Sequence, residues 1–252
     1  MEPRITIRDL FFTYSDGTEA LRNISLDIHP NQVCVLFGPA RSGKSTLLRL
    51  LNRLSDLDEG ARHRGTMLFD GEDIFGRSVD VTALRRRISM VFAIPTPLPG
   101  TIYDNLTYGL KMAGMRNREL LDARVERSLK QAALWEEVKD RLFVSAFALS
   151  GGQKQRLCIA RCLAMEPEVI LLDNPTSGLD PLSTATVEES LYELKQRYSI
   201  VMVPHSVQQA ARVADRAAFI LDGEIVETGD AGRMFVRPTD QRTEDYITGR
   251  FG

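Results

Sequence analysis

Val33 to Phe37 is an unbroken apolar run, followed by a glycine-bearing loop and then by Thr46 to Leu54, where apolar residues return at helical spacing. That order predicts a buried strand, a loop and a helix. A second solid run, Val169-Ile170-Leu171-Leu172, ends in Asp173 and reads as a parallel strand delivering a carboxylate at its C-terminal end, where α/β proteins place their chemistry. Thr66 to Phe69, Ile88 to Phe92 and the segment from Ile200 read as further strands. Arg4 to Leu10 and Leu21 to Ile28 alternate apolar and polar positions around Asp16-Gly17, an antiparallel signature, and Ala217 to Val226 carries a hairpin signal at Asp222-Gly223. Between Tyr103 and Met165 the pattern is helical, with Leu121, Val125 and Leu129 four apart. The run Ile94-Pro95-Thr96-Pro97-Leu98-Pro99-Gly100 continues neither strand nor helix and is a natural joint. We therefore expect one α/β domain over 1–252, with a core from 1–94 and 166–230 that includes an antiparallel β part. A helical subdomain is inserted at 95–165, and a tail covers 231–252.

Composition narrows the class. With 252 residues and 43% hydrophobic content there is ample material for a core, and 32 basic against 34 acidic residues give no overall excess that would point to nucleic acid. No run approaches the roughly 18 apolar residues needed to span a bilayer, and Met1-Glu2-Pro3-Arg4 lacks a secretory pattern. A cytoplasmic protein that meets a membrane only through a partner is the expectation. Cys158 and Cys162 lie four apart on one helix face, as a metal or redox pair would, but their flanks Leu157, Ile159 and Leu163 favour small buried hydrophobes. Cys34 lies within the first apolar run.

The chemistry begins at Gly38-Pro39-Ala40-Arg41-Ser42-Gly43-Lys44-Ser45-Thr46, which fits G-x-x-x-x-G-K-[ST] between a strand and a helix. Backbone N–H groups of such a loop make a nest for phosphate oxygens, with Lys44 reaching the β- and γ-phosphates and the Ser45 hydroxyl on Mg²⁺. Leu149-Ser150-Gly151-Gly152-Gln153 offers a helix-capping serine and two open glycines about twenty residues before "VILLD".

With these motifs in this order, followed by "SGLD" and by His205 in "VMVPHS", the chain resembles the ATPase subunits of ABC transporters over almost its whole length. The segments "LCIARCLAMEPEVILLD", "ARVADRAAFILDGEIVETG" and "TEDYITGRFG" are similar to the branch that serves bacterial phosphate importers. The resemblance implies a P-loop NTPase (RecA-like) core of ABC ATPase type, with ATP and Mg²⁺ as ligands. It further implies a head-to-tail pair with a second copy or a paralogue, two transmembrane permease subunits, and an extracytoplasmic phosphate-binding protein met only indirectly. It places the chain on the cytoplasmic face of the inner membrane. Each nucleotide would lie between Lys44, Ser45 and Asp173 of one chain and Ser150, Gly151, Gly152 and Gln153 of the other. Asp173 would hold Mg²⁺, Asp180 would join the two sites, and His205 would contact the γ-phosphate. Tyr14 fits the adenine-stacking aromatic, although beside Phe11 and Phe12 it also reads as strand packing.

Three positions depart from that pattern. Asn174 stands where the family has a catalytic glutamate, Ala93 where it has a glutamine, and Arg41 where it often has glycine. An amide positions water without accepting its proton, and a methyl does neither. Arg41 costs about 1 to 2 kcal/mol if its backbone must be left-handed. Binding parts survive better than cleavage parts, which leaves three readings: a slow importer ATPase, a degenerate member of an unequal pair, and an ATP-dependent clamp or regulator without transport.

Overall fold

The computed structural model describes residues 2–250; Met1, Phe251 and Gly252, at the ends of the expected N-terminus and tail, lie outside them. The strands are β1 (Ile5–Thr13), β2 (Glu19–Ile28), β3 (Val33–Phe37), β4 (Arg62–Phe69), β5 (Glu72–Asp73), β6 (Ile88–Val91), β7 (Val169–Asp173), β8 (Ser199–Val203), β9 (Arg216–Leu221) and β10 (Glu224–Asp230). The helices are α1 (Lys44–Leu51), α2 (Val81–Arg87), α3 (Ile102–Met112), α4 (Arg118–Gln131), α5 (Trp135–Val138), α6 (Gly151–Ala164), α7 (Pro181–Leu194), α8 (Val207–Val213), α9 (Ala231–Met234) and α10 (Gln241–Ile247).

Two sheets result. β2-β1-β4-β5 is antiparallel, and β10-β9-β3-β8-β7-β6 is parallel except for the β9–β10 hairpin. The solid apolar runs form the centre of the second sheet because both of its faces are covered. Their side chains alternate between two cores: Val33, Val35, Phe37, Ile170, Leu172, Ile200 and Met202 face the core shared with α6, α7 and α8. Cys34, Leu36, Val169, Leu171, Val201 and Val203 face the core shared with α1 and the antiparallel sheet.

The predicted boundaries move in places. The helix expected over Thr46–Leu54 starts at Lys44 and stops at Leu51, where Asn52 caps it and Arg53 turns left-handed (φ 58°). The strand expected from Thr66 begins at Arg62, extended by pairing with β1, and the one expected through Phe92 stops at Val91. Leu121, Val125 and Leu129 are buried on α4. The Ile94–Gly100 joint has no regular structure, and α3 starts beyond it with a Thr101/Asp104 capping box. All three cysteines are buried thiols, and burial pushes Cys34 and Cys162 up to about 12.

Candidate active site

The loop from Gly38 to Gly43 is shaped by two glycines with no room for a side chain. A Cβ on Gly38 would sit 2.0 Å from the Ile220 carbonyl oxygen, and one on Gly43 would sit 2.6 Å from that of Ala20. Both glycines have positive φ. Arg41 shares that conformation with φ 64° and no such exemption.

Helix α1 opens on Gly43 with no side chain capping it, so its first N–H groups remain open toward the loop. The Lys44 ammonium folds back, donating to the Pro39 carbonyl (2.5 Å) and to Ser42 Oγ (3.1 Å). Burial pushes it down to about 8, against the opposing pull of Asp173. Ser45 Oγ donates to Asp173 Oδ1 at 3.0 Å, joining the start of α1 to the end of β7. A cleft of about 330 Å³ opens here, lined among others by Tyr14, Thr18, Arg41, Ser42, Lys44 and Thr46. Open helical N–H groups, a cation satisfied only by neutral oxygens, and a hydroxyl–carboxylate pair of hard donors fit a Mg²⁺-nucleoside phosphate. Tyr14 meets Phe12 edge-on at 4.9 Å between ring centroids, as strand packing requires, and also lines the cleft. Its hydroxyl is hydrogen-bonded to Thr46 Oγ1 at 2.7 Å.

At the end of β7, Asp173 is 7% exposed. Asn174 follows with φ 46°, a left-handed backbone that asparagine accepts better than most residues. Its N–H donates to the Val203 carbonyl (2.8 Å) and its side-chain amide to Asp173 Oδ1 (3.4 Å). His205 lies just past β8 with an exposed side chain, and its backbone N–H donates to Gln209 Oε1 (2.9 Å). Ala93 is half-buried after β6, and the Phe92 carbonyl preceding it accepts from Gln155 Nε2 (3.1 Å).

Ser150 caps α6 in a capping box with Gln153, whose amide also donates to Glu137. Gly151 faces open space, while a Cβ on Gly152 would lie 2.5 Å from Ser183 Oγ. Ser183 is in turn held by Asp180, the cap of α7. Neither Ser150–Gln153 nor Asp180 lines the phosphate-loop cleft of its own chain. The structure thus gathers Tyr14, Gly38–Thr46, Asp173 and Asn174 at one centre and sets Ser150–Gln153 with Asp180 apart. Sequence reasoning missed Gln155, Thr176, Glu188 and Gln209, whose bonds join segments distant along the chain and leave no local spacing to read.

The family model described as ABC transporter matches residues 21–177. The chain is 52% identical over 248 residues to the phosphate import ATP-binding protein PstB of Shewanella denitrificans, covering 98% of this chain and 91% of that one. Among solved structures, CbiO1 of Clostridium perfringens, part of the ABC transporter complex cbiONQ, superposes with a TM-score of 0.82 at 26% identity, covering 99% of this chain and 97% of that one. A bacterial Atm1-family ABC exporter with ATP bound gives 0.81 at 26% identity, with 99% and 42% covered. A phosphate-loop centre on a parallel sheet, a capped glycine segment set apart from it, and these matches establish one kinship: the chain belongs to the ABC transporter family.

Proposed function

We propose that the chain is the ATP-binding subunit of an ABC importer for inorganic phosphate, closing on ATP as a head-to-tail dimer and cleaving it slowly. The Ser45–Asp173 pair beside Lys44 and the open start of α1 carries this reading. The PstB relative supports phosphate as cargo.

On binding, Lys44 exchanges Pro39 and Ser42 for β- and γ-phosphate oxygens, while Ser45 and Asp173 would hold Mg²⁺, which would supply neutralisation of phosphate charge. The second chain's Ser150, Gly151 and Gly152 seat the γ-phosphate at the positive end of α6, with Gln153 buttressing the cap. His205 contacts the same phosphate, and Asp180 links the two sites. Water reaching the γ-phosphate meets the Asn174 amide, which orients it and takes no proton. Ala93 offers it no polar atom. The dimer acts on two permeases from the cytoplasmic face of the inner membrane, and the extracytoplasmic phosphate-binding protein meets only those permeases. Nucleic acid has no part.

One observation favours a second reading, an unequal pair: the Ser150–Gln153 capping box is intact although Asn174 stands at the cleavage position. Such a chain completes a competent site on a glutamate-bearing partner. ATPase turnover of the purified chain beside Asn174→Glu tests the proposal. General-base assistance contributes about 10² to 10⁴ in rate, so the variant gains within that range, less where Ala93 leaves water poorly held. Combining it with Ala93→Gln exceeds either change alone. Turnover of about 1 s⁻¹ or more in the unaltered chain, inside the ordinary enzyme range, overturns slow cleavage.

A further inference from the structure

Gln209, on α8, is 2% exposed, and its side chain is bonded on both ends. Oε1 accepts the His205 backbone N–H at 2.9 Å. Nε2 donates to Thr176 Oγ1 at 2.9 Å and to Glu188 Oε1 at 3.0 Å. A flipped amide would face donor with donor and carboxylate with carbonyl, so the partners fix its orientation. Thr176 and Glu188 are themselves buried, and Arg212 holds Glu188 through two bonds of 2.8 Å. That pairing depresses the Glu188 pKa and keeps the acceptor ionised.

Resting on the ATP-binding reading above, we propose that Gln209 is a positioning residue that locks three segments around the γ-phosphate into one body. Its partners lie on the backbone of His205, on the loop two residues past Asn174, and on α7, which Asp180 caps. A shift of His205 is then transmitted to Asn174 and to Asp180 together. The phosphate loop makes none of these bonds, so affinity for ADP, which lacks the γ-phosphate, stays outside the linkage.

The test uses Gln209→Glu, which keeps an acceptor for His205 and removes the donor to Glu188, and the double variant Gln209→Glu with Glu188→Gln, which restores one donor between the two positions. In the single variant without nucleotide, amide hydrogen exchange is expected to rise about tenfold both at Asn174, Thr176 and Ser177 and at His205 and Ser206, the scale of one buried hydrogen bond. ADP affinity stays unchanged, ATP-dependent dimerisation requires about tenfold more protein, and the double variant recovers both. A rise in only one of the two loops, or a deficit that the double variant leaves in place, overturns the proposal. Should the single variant fail to fold, the double variant decides: native exchange in both loops supports the linkage, and raised exchange with a normal melting temperature refutes it. Failure of the unaltered chain to dimerise with ATP counts against the ATP sandwich, while the exchange measurement still judges Gln209.

Discussion

At the scale of single residues, the two departures nearest the phosphate loop and β7 share a backbone state. Arg41 and Asn174 both have positive φ, at 64° and 46°. For Asn174 that costs little, since asparagine enters this region readily, whereas arginine pays the Cβ–carbonyl clash. Arg41→Gly is therefore expected to raise stability by about 1 kcal/mol in chemical denaturation. The same change weakens Mg-ATP binding if the guanidinium reaches phosphate from the cleft it lines; unchanged or tighter binding would show that it does not. Lys44 makes a second prediction. Its ammonium is lowered to about 8 by burial, so near pH 7 most free protein carries the charge. Above pH 8 the free amine must take up a proton when phosphate arrives, so affinity falls by up to about tenfold per pH unit. Titration calorimetry in buffers of different ionisation enthalpy reads that uptake, and Lys44→Ala abolishes it along with much of the affinity. The sequence made Arg41 conspicuous because a glycine was missing. It did not reveal the left-handed turn at Asn174, since asparagine is common there and in many other conformations.

Among elements, those with a chemical start signal or an unbroken apolar stretch were legible. Ser150 before α6 and the buried runs of β3, β7 and β8 fall where the pattern put them. Helices α2 and α10 were not. Each buries one side chain, Leu84 and Thr243 respectively, so neither shows an apolar stripe. Tyr246 on α10 nonetheless packs its ring 5.1 Å from Phe219, a partner the local sequence cannot announce. The two capping boxes separate structure from function. Ser150→Ala and Thr101→Ala each remove an N-cap and each cost about 1 kcal/mol of stability. Only Ser150→Ala is expected to suppress ATP-dependent dimerisation, measured by light scattering. Equal behaviour of the two variants would mean that Ser150 acts as a cap and nothing more.

For the whole molecule, apolar periodicity changes from strand to helix after Ile94–Gly100, and the division between core and helical part is expected there on that ground. What crosses that joint was not readable. A groove of about 280 Å³ is lined there by Leu54, Phe92, Ile94, Thr96, Cys158 and Arg161, among others, with Ile94 78% exposed. On the importer reading a permease docks in it, so a cysteine substituted at Thr96 is expected to crosslink to a co-expressed permease. Absence of any crosslink argues against docking. No helix among the described residues is long and apolar enough to cross a membrane, and on the importer reading the chain acts on its permeases by force applied through contacts. The interleaved strands determine how that force travels. Neighbouring residues of β3, β7 and β8 are gripped by opposite cores, and packed interiors yield little to compression. The strand ends leading to Lys44, Asp173 and His205 therefore behave as one stiff plate. Movement is left to the rims, as in a lever whose fulcrum is the sheet itself.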